Sequence, residues 1–210
     1  MRKVIGIVLL LGCCLRSGAM TDSIVYSKDF EFAEGLYLSF SDFRNNHPVP
    51  KASIVSLYDK SAIDFFKKEL QKTQIAFIDT SGKQITVYTH KLWGYSSSGN
   101  VYINYGVDFY KIQVIGSLCH FTAFVQIVLG GDPTLQNPYD MRDGYQMEQF
   151  MMDMETGKIA VFNYTNMQGF LKRDEELYKD YSALSKKKKK ESAFIYLNKY
   201  NQRHPLYFPI

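Results

Sequence analysis

The sequence predicts an α+β fold: an antiparallel β-meander, as a sheet or an open barrel, with one early helix and two C-terminal helices packed on it. Three observations carry this reading. The stretch Gln74–Val128 is dense in Val, Ile, Thr, Tyr and Phe, with turn residues at short intervals, the composition of a pleated, half-buried surface. From Asn166 the apolar spacing changes to a helical period, with Met167, Phe170, Leu171, Leu177, Tyr178, Tyr181 and Leu184 near one face. No internal repeat and no Pro/Ser/Gly linker divides the chain, so residues 20–210 read as a single domain whose segment 166–204 is helical.

The N-terminus reads as an address. Arg2 and Lys3 precede an apolar stretch, Val4–Leu15, which is shorter than the about 20 residues that a membrane helix needs. This is the pattern of a bacterial secretory signal over residues 1–19. Two readings of its processing stand. Ser17, Gly18 and Ala19 supply the small residues of a cleavage after Ala19. Leu10-Leu11-Gly12-Cys13 resembles a lipobox, in which Cys13 is the lipidation site and first residue. Both place the protein outside the cytoplasm, periplasmic or secreted in the first case and an outer-membrane lipoprotein in the second. No later segment is long and apolar enough for a membrane helix.

A first strand is expected near Ile24–Tyr26 and a second at Gly35–Leu38. Ser39 or Ser41 then caps a short helix, which Asn45-Asn46-His47-Pro48 ends. Ala52–Leu57 reads as a strand. Ser61 opens a helix with Asp64 in capping-box register and Ile63, Phe66 and Leu70 on its apolar face. The meander follows as Ile75–Ile78, a turn at Thr80–Lys83, Ile85–Tyr88, a turn at Ser96–Asn100, Tyr102–Tyr105, Tyr110–Ile115 and Leu118–Val128. The last of these is apolar on both faces and is therefore placed centrally. Gly130–Tyr145 reads as a long loop. Met147–Met154 and Ile159–Phe162 flank a hairpin turn at Glu155–Lys158. The last helix is expected over Glu191–Arg203, stopped by His204-Pro205.

The formal net charge is +4. Without residues 1–19 the chain loses Arg2, Lys3 and Arg16 and no acid, so 22 basic residues face 21 acidic ones and the charge is about +1. A near-neutral chain gives no electrostatic footprint for nucleic acid. The run Lys186–Lys190 follows Asp174, Glu175 and Glu176 and reads as a solvated helix face or junction, the other reading being contact with phosphates or anionic lipid.

Catalytic signatures are missing. There is no phosphate loop, nucleophile elbow, His-Glu-x-x-His or Cys-x-x-Cys. No cofactor, metal or catalytic residue is expected. Cys119 and His120 are adjacent on a strand, so their side chains point to opposite faces and do not form a dyad. An exported hydrolase using Cys119, His120 or the acidic Asp132–Glu148 loop is the alternative function. The 16 Tyr and 15 Phe against one Trp suit a β-rich core and also a binding face. Trp93, Tyr95, Tyr102 and Tyr105 are the candidate binding residues, for a glycan or a protein of the cell envelope.

Several stretches together resemble a family of uncharacterised exported proteins of about 200 residues from bacteroidete bacteria. They are Gly35–Phe40 (GLYLSF) with Asn45–Pro48 (NNHP), Leu92–Tyr95 (LWGY) with Val101–Ile103 (VYI), Ile115–Phe121 (IGSLCHF), and Arg173–Tyr178 (RDEELY) through Lys199–Pro205 (KYNQRHP). The resemblance implies export from a diderm cell, a domain of unknown function and no assigned site.

Overall fold

A computed structural model describes residues 22–128 and 143–209. The expected leader with Cys13, and most of the expected loop Gly130–Tyr145 with Asp132 and Asp140, lie outside them.

The architecture is α+β, with an open antiparallel sheet of eight strands at its centre. In spatial order these are β12 (Ile159–Val161), β11 (Asp143–Asp153), β10 (Leu118–Val128), β9 (Asp108–Val114), β8 (Asn100–Tyr105), β7 (Gly94–Ser97), β2 (Gly35–Tyr37) and β3 (Val49–Pro50). The turn between β7 and β8 shortens to Ser98-Gly99, both at positive φ, the backbone twist that two-residue hairpins favour. Ser96 and Ser97, expected in that turn, belong to β7. Asp143, Gly144 and Tyr145, expected in the long loop, already pair with β10.

The meander does not stay in one sheet. β5 (Gln74–Ile78) and β6 (Gln84–Tyr88) join β4 (Ile54–Val55) in a separate three-stranded sheet. A one-turn 3₁₀ segment at Thr89–Lys91 carries the chain across. It is held there by the Thr89 N–H on the Thr73 carbonyl at 2.9 Å and the Thr89 hydroxyl on the Lys72 carbonyl. A third, two-stranded sheet pairs β1 (Ser23–Val25) with β13 (Tyr207–Pro209).

Helix α1 (Phe40–Arg44) starts at Ser39, whose hydroxyl accepts from the Asp42 N–H while the Asp42 carboxylate accepts from the Ser39 N–H. Helix α2 is Phe65–Glu69, shorter than expected from Ser61. Ser61 instead closes a turn onto the Asp59 carboxylate through its N–H and hydroxyl, which competes with a helical start. The buried face rotates accordingly: Phe65, Phe66 and Glu69 point inward and Ile63 is 97% exposed. Glu69 is fully buried and compensated by the Lys72 ammonium at 2.7 Å and the Ser56 hydroxyl at 2.6 Å.

The first C-terminal helical stretch breaks into α3 (Tyr164–Leu171) and α4 (Glu175–Ser182). The break is at Asp174, in extended backbone, whose carboxylate accepts from the Leu177 N–H at 3.0 Å and caps α4. Helix α5 runs Lys186–Arg203 from the cap Ser185, so the lysine run is helical rather than a junction. No helix of the described residues is long and apolar enough to cross a membrane.

Both faces of the large sheet are apolar. One, the inner face, carries Val101, Ile103, Ile112, Phe121 and Phe150. It is covered by Phe32, Phe43, Leu206 and Phe208, from the N-terminal segment, α1 and the β1–β13 end of the chain. The outer face is covered in two places. Leu118 and Met151 pack under α3, α4 and α5, and Leu36 packs under α2 and the small sheet.

Charged ties hold the margins of these covers. Arg173 grips the buried Asp153 with two bonds of 2.9 Å, and Asp174 accepts from Arg203 at 2.8 Å and bonds His204 at 2.9 Å. Burial works to raise the Asp153 carboxyl. The Arg173 fork, the Thr156 hydroxyl and the Glu155 N–H together outweigh it and hold the group below its usual range. Its folded value therefore lies below its unfolded value, near pH 4. The stabilisation is present above that pH and is lost as pH falls through the folded value. Asp153→Asn is expected to cost about 2–3 kcal/mol in urea unfolding at neutral pH, toward the low end for a broken buried pair because Arg173 is 40% exposed. The variant should also lose less stability than wild type between about pH 5 and 3. Parallel pH profiles would contradict this assignment.

Candidate functional site

The two covers of the outer face belong to separate apolar clusters. Between α2 and the hairpin of β8 and β9 lies an open cavity of about 710 Å³. Strand alternation places its floor. On β8, Val101, Ile103 and Tyr105 face inward, so Tyr102 and Asn104 face outward. Register sets Tyr95 of β7 directly opposite Tyr102, and Phe109 of β9 opposite Asn104.

Three of the aromatic side chains at this spot form a column. Phe66 of α2 stacks on Tyr95 with centroids 5.1 Å apart, and Tyr95 stacks on Tyr102 at 4.6 Å with the rings within 5° of parallel. Phe109 meets Tyr95 edge-on at 5.5 Å. Tyr102 is the end of the column, and among the described residues Tyr95 is its aromatic partner. Burial, with smaller contributions from Tyr102 and Asp108, raises the Tyr95 phenol above its usual value.

Polar groups ring the column. The Asn104 amide donates to the Leu92 carbonyl at 2.9 Å, which orients the side chain and leaves its oxygen as an acceptor. Gln71, Thr73, His90 and Ser97 line the same cavity, with Asp64, Lys67 and Asp108 at its edges. Two apolar side chains stand at the rim, Ile63 and Val107, the latter 62% exposed. An aromatic ring presented beside amides, hydroxyls and charges is chemistry for holding a ligand with apolar patches and hydroxyl groups.

The four aromatic residues singled out from sequence do not share a surface. Tyr95 and Tyr102 meet in the cavity. Trp93 stands just before β7, where regular pairing ends, and lies flat on Phe43 at 4.4 Å with its edge toward Tyr37. Tyr105 packs on the inner face against Phe150 and Phe121 at 4.5 and 5.5 Å. Phe66, Asn104 and Phe109 complete the site and escape the sequence reading. Phe66 reads there as helix core, and Asn104 and Phe109 gain meaning only from the β8–β9 register. The period-2 pattern Tyr102/Asn104 against Val101/Ile103 was the available signal.

Cys119 and His120 fall on opposite faces. Cys119 is fully buried in the inner core, its thiol on the Gly116 carbonyl at 3.5 Å. Burial pushes it up to about 12, against the Gly116 hydrogen bond. His120 packs against the Phe194 and Phe162 rings at 4.6 and 5.0 Å, with its Nε2 3.1 Å from the Gln149 amide oxygen. Burial lowers its pKa, against that hydrogen bond. Of the acidic loop, Asp143 and Glu148 are described, both on β11; Glu148 is half-buried and accepts from Gln146. Among the described residues no three His, Cys, Asp or Glu side chains converge.

Comparison of the chain with protein-family models, curated proteins and solved structures gives no match.

The burial of Cys119 has a direct readout. Iodoacetamide at about pH 8, followed by peptide mapping, should leave Cys119 unmodified in native protein and label it in urea. Native labelling at the rate of a free thiol would contradict its placement.

Proposed function

We propose that this is an exported cell-envelope protein without catalytic activity that binds a glycan in the cavity floored by Tyr95 and Tyr102. The observation carrying the reading is the stacked column Phe66–Tyr95–Tyr102, which ends in an open tyrosine ring beside Asn104. Sugar rings combine an apolar face with a rim of hydroxyls, and an aromatic platform flanked by amide and charged groups complements both. Export rests on Arg2, Lys3 and the apolar stretch that follows. Processing after Ala19 gives a periplasmic or secreted protein, and lipidation of Cys13 gives an outer-membrane one. The resemblance to exported bacteroidete proteins supports the same compartment.

A protein partner is the second reading, supported by the exposed Ile63 and Val107 at the rim of the cavity. The two readings separate experimentally. Protein processed after Ala19 is presented with a panel of envelope and host glycans, and affinities are measured for wild type, Tyr102→Ala and Asn104→Ala. Each substitution should weaken glycan binding about tenfold, the equivalent of ~1.4 kcal/mol, while melting temperatures stay within a few degrees. Failure of the panel, together with crosslinking of an envelope protein at position 107, would favour the protein reading. Glycan binding that is indifferent to Tyr102 would overturn the site.

A further inference from the structure

The first half of α5 runs against the electrostatics of helices. Lys186–Lys190 fill its first five positions, with no acid in the first turn. A helix N-terminus is already a positive pole, and like charges three and four residues apart repel. The run is therefore unfavourable twice, and natural chains concentrate such local conflicts at functional positions.

Neighbouring side chains do little to neutralise it. Lys186 and Lys190 lie over the Tyr164 ring at 5.6 and 5.9 Å, and Lys189 donates to the Gln168 amide oxygen at 3.1 Å. Lys187 approaches Glu191 at 4.0 Å, both side chains being largely exposed. Glu191 is the one acid in α5. Helix α3 begins at Tyr164 against this run and brings a second N-terminus to the same end of the helical layer. Lys186, Lys187, Lys188 and Lys190 are exposed.

Apolar surface adjoins the charge. One turn further along α5, Phe194 and Ile195 are 40% and 55% exposed. At 100° per residue they share the outward arc of the helix with Lys187 and Lys188. Phe194 also meets Phe162 at 4.5 Å. The two line a cavity of about 580 Å³ edged by Lys190, Tyr164 and Thr165.

We propose that this end of the helical layer docks on an anionic lipid bilayer, with the lysines against lipid phosphates and Phe194 and Ile195 in the interface. Charge complementarity selects an anionic partner. The apolar pair within the cationic arc selects a surface that is charged at the headgroups and apolar just beneath them. A polynucleotide would want a longer basic track, and the chain past residue 19 is near neutral. Each lysine near such a surface strengthens binding about fivefold, so the contact is reversible and falls with salt. It is independent of ligand binding between β7–β9 and α2.

Protein processed after Ala19 is sedimented with vesicles of phosphatidylcholine alone and of phosphatidylcholine mixed with phosphatidylglycerol. It should bind the mixed vesicles, release them as salt rises and ignore the neutral ones. Replacing Lys186, Lys187, Lys188 and Lys190 with Gln should weaken binding about 100-fold or more, with an unchanged or higher melting temperature because repulsion is removed. Ile195→Ser should weaken binding while leaving its salt dependence intact. Wild-type affinity in the four-lysine variant, no binding to the mixed vesicles at low salt, or preference for single-stranded polynucleotide over them would each overturn the proposal.

Discussion

The large sheet carries apolar side chains on both faces, and the rest of the molecule is arranged around that constraint. Alternation along β8 sends Val101 and Ile103 one way and Tyr102 the other, while Leu118 and Met151 face outward from β10 and β11. Each square ångström of apolar surface left in water forgoes about 25 cal/mol. The inner face is closed by aromatic side chains from both ends of the chain, Phe32 and Phe208 among them. The outer face is closed by two separate covers, helices at one end and α2 with the small sheet at the other. The candidate site is the stretch between those covers. Its floor belongs to the rigid sheet, which fits a cavity that holds its shape without a ligand.

Polar anchors decide where each cover sits. The Asn201 side chain on α5 donates to the Leu118 carbonyl and accepts from the Leu118 N–H, both at 2.8 Å. A helix side chain thus supplies both hydrogen bonds that a neighbouring strand would give. Gly116 makes room for it, since a Cβ there would lie 2.4 Å from Asn201. Arg44 reaches from α1 to the carbonyls of Met154 and Tyr207 and lies over the Phe208 ring. It ties the β11 hairpin to the last strand. These bonds are directional where the hydrophobic contacts are not, so they fix register and orientation.

Much of the architecture is legible in the sequence because local rules and tertiary packing agree there. Runs of β-forming residues bounded by turn residues find β8 to β11, and Ser39 marks the start of α1. Legibility fails where a distant partner decides. Nothing local in Thr89–Lys91 says that the chain leaves the small sheet; the bonds to Thr73 and Lys72 do. Ile63 looks like helix core by spacing, but Asp59 captures Ser61 and delays the helix. The helical stretch from Asn166 looks continuous until Asp174 is seen to cap a new helix. At the site, Tyr95 and Tyr102 are legible as strand aromatics, whereas Trp93, one residue before β7, turns to Phe43. Phe66 comes from the helix that covers this face of the sheet, and no sequence spacing links it to Tyr95.

The central claim is that the outer face stays open between its two covers. Hydroxyl-radical footprinting of the ligand-free protein tests it most directly. Tyr102 and Phe109 should be oxidised, as should Phe124 and Met147 further along the same face, which are 49% and 65% exposed. Tyr37, Phe121 and Phe150, on the inner face, should stay protected. Protection of Tyr102 and Phe109 to the level of Phe121 would mean that the face is covered, and would contradict both the open cavity and the binding site placed in it.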